Sequence, residues 1–539
     1  MVKQENAQRL VVGVDVGTGS ARAGVFTVDG RMLGTSKQAI SIHREGGVIA
    51  EQSSDDIWAA VAASVQGAMA AAGAVPSQVA GIGFDATCSL VVLGEDGVPL
   101  PVGDPAYPNR NIIVWMDHRA IAQAERINAG GHRVLDYVGG RISPEMETPK
   151  LLWLKEHRPE IYARAWQFMD LTDFLTWRAS GDLARSVCTV TCKWTYLAHE
   201  QKWDGSYFHQ IGLEELADEG FKRIGTKVVP AGMPLGQGLT AEAANDLGLL
   251  AGTPVGAGLI DAHAGGVGSI GAGGPTALLG TMAYVFGTSS CTMTSTAEPV
   301  FVSGIWGPYH SAMVPGLWLN EGGQSAAGAA MEALLAFHPR AEETRLRAEA
   351  QGRALPELLA EEVANRVAAG ADLCSLAAGI HVVPEFLGNR APFADPHARA
   401  IIAGLGMDQG FDSLVGLYVA GLCGIGYGLR QIVAAQAAAG AMVDRIVISG
   451  GAGRHDVIRQ LLADTTDVEV AAPEADEPVL LGAAMLASVA AGMFPDIPNA
   501  MGAMSRFSNV YVPTRSARSA HQERYDIFER LQLAAKKAP

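Results

Sequence analysis

Cysteine is scarce in this chain: six residues among 539, at positions 88, 188, 192, 291, 374 and 423. So scattered a set is no disulfide framework, and reduced thiols are the expectation. Cys188 and Cys192 stand four apart, but no second pair of ligands lies near them in the sequence, so they read as core cysteines rather than zinc ligands. Positive charge is in deficit, with 40 Lys and Arg against 56 Asp and Glu and a net charge of -16. That balance excludes a nucleic-acid or anionic-membrane surface as partner, because both need clustered cations. Any phosphate must then be held locally, by backbone amides, a few cations and metal. No Gly-Lys dipeptide occurs, which excludes a Walker A loop and P-loop chemistry. Long hydrophobic runs are also missing. Leu414 to Leu429 and Val479 to Phe494 are uncharged, but they fall short of a comfortable membrane span and are rich in Gly and Ala, so buried helices are expected. The opening MVKQENAQRL has no apolar h-region, so no signal peptide is expected and the chain reads as cytoplasmic.

What is present is apolar mass, 48% of the residues, in a chain too long for one core. Two or more domains follow. Residues Leu10 to Val28 read LVVGVDVGTGSARAGVFTV: an apolar strand ends near Asp15, turns on Gly17-Thr18-Gly19-Ser20 and resumes as a strand. Amides and hydroxyls of such a turn can wrap a phosphate, and Asp15 sits where a magnesium ion or its waters would be. The same residues suit any tight hairpin turn, and the short motif alone does not separate the two readings. Strand-like runs at Leu10 to Val16, Val79 to Phe84 and Leu90 to Leu93 alternate with Ala-rich helical stretches such as Ile57 to Ala72, the pattern of an α/β protein. Asp29-Gly30 and Asp96-Gly97 signal hairpin turns. Gly103 to Pro230 holds most of the tryptophans and reads as helices and loops elaborating one domain.

A boundary is expected near Ala251 to Gly258. The unit beyond it opens much as the first did, with strand Thr276 to Leu279, a turn, strand Met282 to Phe286 and a second small-polar turn, Gly287-Thr288-Ser289-Ser290. It closes with strand Arg445 to Ser449, turn Gly450-Gly451-Ala452-Gly453, helix Asp456 to Thr465, strand Val468 to Val470 and helix Val479 to Ala491. Two halves of similar build imply a duplicated fold with a nucleotide in the cleft between them. Gly266 to Gly271 spell GxGxxG, but they follow a helix start rather than a strand, so a Gly-rich helix in close packing is expected instead of a dinucleotide site.

Asp15-Val16-Gly17-Thr18-Gly19-Ser20, Asp261 in LIDAHAG, Gly287-Thr288-Ser289 and Gly450-Gly451-Ala452, in that order over about residues 10 to 495, resemble the FGGY carbohydrate kinases of the sugar kinase, Hsp70 and actin superfamily. The resemblance implies an α/β fold of two actin-like, ribonuclease H-like domains with a nucleotide and sugar cleft between them. Residues 8–258 would form the N-terminal domain for sugar and phosphate, 259–500 the C-terminal domain for adenosine, and 501–539 a helical tail. It implies ATP and Mg²⁺, and a small-molecule sugar as substrate; a homodimer is left open. By residue, Asp261 matches the base that takes the proton from the sugar hydroxyl, and Asp15 with Asp261 would hold the metal. Gly17, Thr18, Gly19, Ser20 and Arg22 match the surroundings of the γ-phosphate. Gly287 and Thr288 match the second phosphate turn, and Gly450, Gly451 and His455 fall at the adenosine, His455 standing where Asn is common.

Thr87 to Val91 and Trp306 to Ser325 resemble the pentulose kinase branch, most closely the D-ribulokinases. Cys88, Lys193 and Glu321 then match sugar-pocket positions, and Trp115 with Asp117 the tryptophan loop of that pocket. Glycerol kinases carry Arg-Glu where this chain has Ala86-Thr87, and xylulokinases carry a Gln-Met-His run around Asp85 to Thr87; both are absent here. The expected reaction is phosphorylation of D-ribulose to D-ribulose 5-phosphate, with an L-ribulokinase or ribitol kinase as alternatives. An actin-like or Hsp70-like ATPase is the alternative of another class. Taken as residues alone, Asp261 could be a helix N-cap, Lys193 a lysine snorkelling at a strand edge, Glu321 a solvated loop carboxylate and Trp115 a core tryptophan.

Overall fold

A computed structural model describes residues 9–535 with the exception of residue 378. The first half is built on the hairpin of Leu10–Val16 (β1) and Ser20–Thr27 (β2), in which Asp15 faces Arg22. Met32–Ala39 (β3) continues the antiparallel side. On the other side Val79–Ala86 (β4) runs parallel to β1, setting Asp85 beside Asp15, and Val255–Ile260 (β5) runs parallel to β4. The order is β5-β4-β1-β2-β3. Every residue of β1 is buried, as a strand covered on both faces must be. One cover is Ser54–Ala72 (α1), which begins before the expected Ile57 because Ser53 caps it and Asp55 and Asp56 fill its first turn. Val187–Lys193 (α2) packs beside β5, and Asp261–Ile270 (α3) leaves the end of that strand directly.

The second half repeats the scheme. Thr281–Phe286 (β6) and Ser290–Thr296 (β7) form the hairpin, and Trp306–His310 (β8) and Trp318–Gln324 (β9) extend the antiparallel side. Arg445–Ser449 (β10) runs parallel to β6, and Glu469–Pro473 (β11) parallel to β10. Gly328–Ala336 (α4), Phe411–Ala438 (α5), Asp456–Thr466 (α6) and Pro478–Ala490 (α7) follow in the chain. Helix α5 is long and apolar enough to cross a membrane, yet 83% of its apolar window is buried inside the fold; it is a core helix.

Three expectations need correction. Thr276 to Leu279 is no strand: Pro275–Ala277 form a 3-10 turn, and the ladder starts only after Gly280, whose carbonyl accepts from Asp444 and Arg445 N–H. The division at 258/259 falls inside β5, which stays in the first sheet through Ile260. The segment beyond 500 is not helical throughout. Phe507–Tyr511 (β12) pairs antiparallel with β11 at the sheet edge, and Arg518–Ala535 (α8) packs on α5 and α6.

The halves meet through α3 and α7. Helix α7 also covers β4, β1 and β5 of the first sheet, while α3 lies against β6 and β10 of the second. Each half thus closes with a helix that serves the other's sheet. The helix axes approach closely because side chains are missing at the crossing: a Cβ on Gly268 would meet the Pro478 carbonyl oxygen at 1.8 Å, and one on Gly482 the Ala264 carbonyl oxygen at 2.0 Å. Of the GxGxxG glycines, Gly268 makes this crossing, while Gly266 gives room to Met313 and Gly271 to Met501. Gly268→Ala should therefore cost about 1–3 kcal/mol or more of stability, read as a fall in the denaturant midpoint; an unchanged midpoint would show that the helices can part freely.

Candidate active site

Parallel pairing brings three carboxylates to the carboxyl ends of neighbouring strands. Asp15 on β1 sits in register with Asp85 on β4, and Asp261 follows β5, whose Leu259 pairs with Asp85. Asp15 and Asp85 are buried. Asp15 Oδ2 accepts from Arg22 Nε at 2.8 Å and also from Nη2, and Arg22 Nη1 donates to Glu477 Oε2 at 2.6 Å. Arg22 thus bridges Asp15 on β1 to the start of α7 rather than pointing freely at a ligand. Asp261 is not the N-cap of α3; Ile260 holds that place, and Asp261 Oδ1 accepts from the N–H of Ala262 at 2.7 Å. Burial and the neighbouring Asp15 raise its carboxyl to about 6, poised to take a proton near neutral pH.

No N–H or hydroxyl donor reaches either oxygen of Asp85, and Asp15 stands within hydrogen-bonding reach of it once Asp85 is protonated. Burial, then Asp15 and Asp261, push it well above the usual carboxylate range. Two orphaned oxygens among three carboxylates fit a hard cation such as magnesium, which takes oxygen ligands. Without a cation the cluster opposes folding, and Asp85→Asn should relieve it. From the ordinary carboxylate range up to the raised value, the folded chain holds a proton that the unfolded chain has lost, so stability falls as pH rises. The variant should flatten that slope and raise Tm at neutral pH by about 2–4 °C, while turnover falls by about 10–100-fold. A lower Tm would mean that Asp85 holds the strand ends together instead.

The sugar-side candidates converge from both halves. Cys88 lies just beyond β4, its thiol pushed up to about 12 by burial. Lys193 ends helix α2, not a strand edge; it is buried, with Nζ 5.1 Å from the ring centroid of Trp306. Glu321 is a strand residue of β9, also buried, and not a loop carboxylate. Its Oε2 lies 3.2 Å from His263 Nε2, and its Oε1 accepts from Cys291 Sγ at 3.6 Å. Burial alone would raise Glu321; the His263 hydrogen bond and the charges of Lys193 and Arg390 outweigh it and hold the carboxylate below its ordinary range. Half-buried Trp115 donates from Nε1 to Thr18 Oγ1 at 3.0 Å, which ties its loop to the Gly17–Ser20 turn.

Asp117 departs from its expected role. It is fully buried, and its two oxygens accept from Ala50 N–H and from the N–H, Nε and Nη2 of Arg119. With four donors it locks the loop and has little capacity left for a sugar hydroxyl. The residues missed were Asp85, His263 and Trp306. The signals were present: Asp85 closes an apolar strand as Asp15 does, His263 stands two residues from Asp261, and Trp306 opens the segment already singled out.

In the second half, Gly287 and Thr288 turn β6 into β7, as Gly17 to Gly19 turn β1 into β2, and their carbonyls accept from N–H groups at the start of α4 (Gly328 to Gly287, Ala329 to Thr288). Gly450 follows β10 with φ 91°, and a Cβ there would meet the Phe286 carbonyl at 2.5 Å. Beside these turns lies a cavity of about 390 Å³ lined by Phe286, Tyr418, Leu422, Gly451, His455 and Ile458 among others. His455 also caps α6, its Nδ1 accepting from the N–H of Val457 at 3.3 Å. An apolar slot next to glycine turns suits a flat heterocycle with phosphates attached.

Duplicated α/β halves with strand ends facing one seam are the two-domain sugar kinase fold of the actin-like superfamily. The chain belongs to the FGGY family of carbohydrate kinases, whose N-terminal domain matches residues 10–268 and whose C-terminal domain matches residues 282–491. It is 43% identical over 529 residues to an FGGY carbohydrate kinase domain-containing protein of Danio rerio, covering 96% of each chain. The corresponding protein of Homo sapiens is 42% identical, over 98% of this chain and 97% of its own. A D-ribulokinase of Saccharomyces cerevisiae is 35% identical, over 91% of this chain and 73% of its own. Among solved structures, a xylulose kinase from Rhodospirillum rubrum superposes with TM-score 0.80 at 21% identity, covering 98% of this chain and 99% of that one. A Plasmodium falciparum glycerol kinase with ADP gives 0.78 at 15%, over 98% of both. These two likenesses concern the fold.

Proposed function

We propose that this carbohydrate kinase transfers the γ-phosphoryl group of ATP to the terminal hydroxyl of a pentulose, in first place D-ribulose to D-ribulose 5-phosphate. The observation that carries the reading is Asp261, a half-buried carboxyl raised to about 6 at the seam where Lys193 and Glu321 meet from opposite halves. Phosphoryl transfer asks mainly for alignment and charge neutralisation. Glu321 and Lys193 would accept from and donate to the sugar hydroxyls, and Asp261 would take the proton of the attacking one late in the step. Asp15 and Asp261, with Asp85 behind them, would hold magnesium; bound there, it neutralises phosphate charge. Gly17 to Ser20 and Gly287 to Thr288 supply amides and hydroxyls from the two sides, and the cavity at Gly451 and His455 receives the adenosine. The cytoplasm is the proposed location.

D-ribulose is favoured by the Thr87-Cys88-Ser89 segment, by the absent glycerol and xylulose signatures around Asp85 to Thr87, and by the yeast relative named a D-ribulokinase. L-ribulose or ribitol would use the same machinery. An actin-like or Hsp70-like ATPase is disfavoured because both halves, residues 10–268 and 282–491, match the carbohydrate kinase family. ADP release measured against a panel of pentuloses, pentitols and glycerol tests the proposal. A site that hydrogen-bonds specific hydroxyls can discriminate by up to about 10⁴, so D-ribulose should give the highest kcat/KM, far above D-xylulose and glycerol. Preference for D-xylulose would overturn the pocket assignment, and ADP release indifferent to sugar would favour the ATPase.

A further inference from the structure

Cys188 and Cys192 acquire a partner that their sequence neighbourhood does not contain. Four residues apart on α2, their thiols share one helix face, and His263 on α3 comes in from 75 residues further along the chain to lie with Nδ1 3.1 Å from Cys188 Sγ. The three donor atoms lie within 4.8 Å of one another, and all three residues are fully buried. We propose that Cys188, Cys192 and His263 form a binding site for a thiophilic divalent cation of the zinc class, separate from the carboxylates of the phosphoryl-transfer site.

Ligand chemistry, spacing and charge each support this. Thiolate sulfur and imidazole nitrogen are the donors zinc selects, and three protein ligands leave one position for water. Bond lengths of about 2.3 Å to sulfur and 2.0–2.1 Å to nitrogen place tetrahedral donors roughly 3.5–3.8 Å apart; the 3.1 Å between Cys188 Sγ and His263 Nδ1 would open slightly to reach that range, and the 4.8 Å limit on the other separations leaves them within about an ångström of it. The outer contacts have the right sense as well. His263 presents Nδ1 to the sulfurs, while its other nitrogen faces the carboxylate Oε2 of Glu321 at 3.2 Å, the arrangement that fixes the tautomer of a ligating histidine. The N–H of Ile260 points at Cys188 Sγ at 3.4 Å. Two thiolates and a neutral imidazole around a divalent cation sum to zero charge, which a dry interior tolerates and which adds no cation beside Lys193. Binding would release the thiol protons to solvent, with no change of oxidation state. Because Glu321 and the cysteines come from opposite halves, parting of the cleft would give the ion its way in. Once bound it would clamp α2, which ends in Lys193, to α3, which begins with Asp261.

The test reads the metal directly and is independent of any sugar or nucleotide. Reduced full-length protein, stripped with chelator and dialysed, is titrated with Co²⁺. The expected result is one equivalent bound, with sulfur-to-cobalt charge-transfer absorption and tetrahedral ligand-field bands, both bleached by one equivalent of Zn²⁺. Cys188→Ser/Cys192→Ser should abolish the bands, Cys423→Ser should leave them, and Glu321→Gln should weaken affinity by about 10–100-fold. X-ray absorption on the zinc-loaded wild type needs no variant to fold: two sulfurs at about 2.3 Å support the site. A shell of oxygen and nitrogen alone, no thiolate band at stoichiometric metal, or a band that survives in a folded double variant would overturn it and leave a hydrogen-bonded thiol–imidazole cluster.

Discussion

Asp261→Asn should lower kcat by about 10²–10⁴, the usual worth of a positioned general base, with little change in the binding of sugar or ATP. The substitution keeps the side chain's size and its acceptance of the Ala262 N–H, and removes the ability to take a proton. A loss of tenfold or less would count against the role. In the unaltered enzyme the same group sets the acid limb of the pH profile. Burial and Asp15 raise it to about 6, and a base works only when deprotonated, so kcat/KM should fall as pH drops through that value. The limb should vanish from the residual activity of the variant. An acid limb near 4 would mean that Asp261 titrates as an ordinary exposed carboxyl and is no tuned base.

Glu321→Ala should raise the KM for sugar by about 10- to 100-fold, the equivalent of one lost hydrogen bond to a charged group, and leave the KM for ATP little changed. Glu321 also faces His263 across the seam, so the split between the two constants decides its role. If both rise together, or the midpoint of unfolding falls in step with activity, the carboxylate serves to join the halves. Glu321→Gln keeps the shape and an acceptor oxygen and should restore part of the sugar affinity if hydroxyl recognition is what was lost.

Elements with their own local signal are legible in the sequence. Leu90–Leu93 and Arg445–Ser449 begin and end where apolar runs and glycines place them, and the two glycine turns fall at hairpin tips as their composition implies. Legibility ended where a residue's meaning depends on distant chain. Asp85 looked like the end of a strand; parallel register with β1 makes it the middle of three acids. Asp117 looked like a sugar ligand until Arg119, two residues on, and the Ala50 N–H took its oxygens. Cys188 and Cys192 looked isolated because His263, the group that completes them, belongs to another helix. Thr276 to Leu279 misled in the opposite way: residues suited to a strand follow Gly274-Pro275, which impose a turn.

The repetition of the fold gives its two halves matching topology and unequal charge at their first hairpins. In the first, Asp15 and Asp85 stand in register two residues before the Gly17 turn; in the second, the pair at the matching place before Gly287 is Val285 and Ser449, which carries no charge. A polyanion is repelled by one rim and accommodated by bare amides on the other, until a cation masks the acids. Asymmetry of this kind would assign the nucleotide to the second half and the alcohol to the first, so the phosphoryl group would cross the seam in a direction written into the two sets of strand ends.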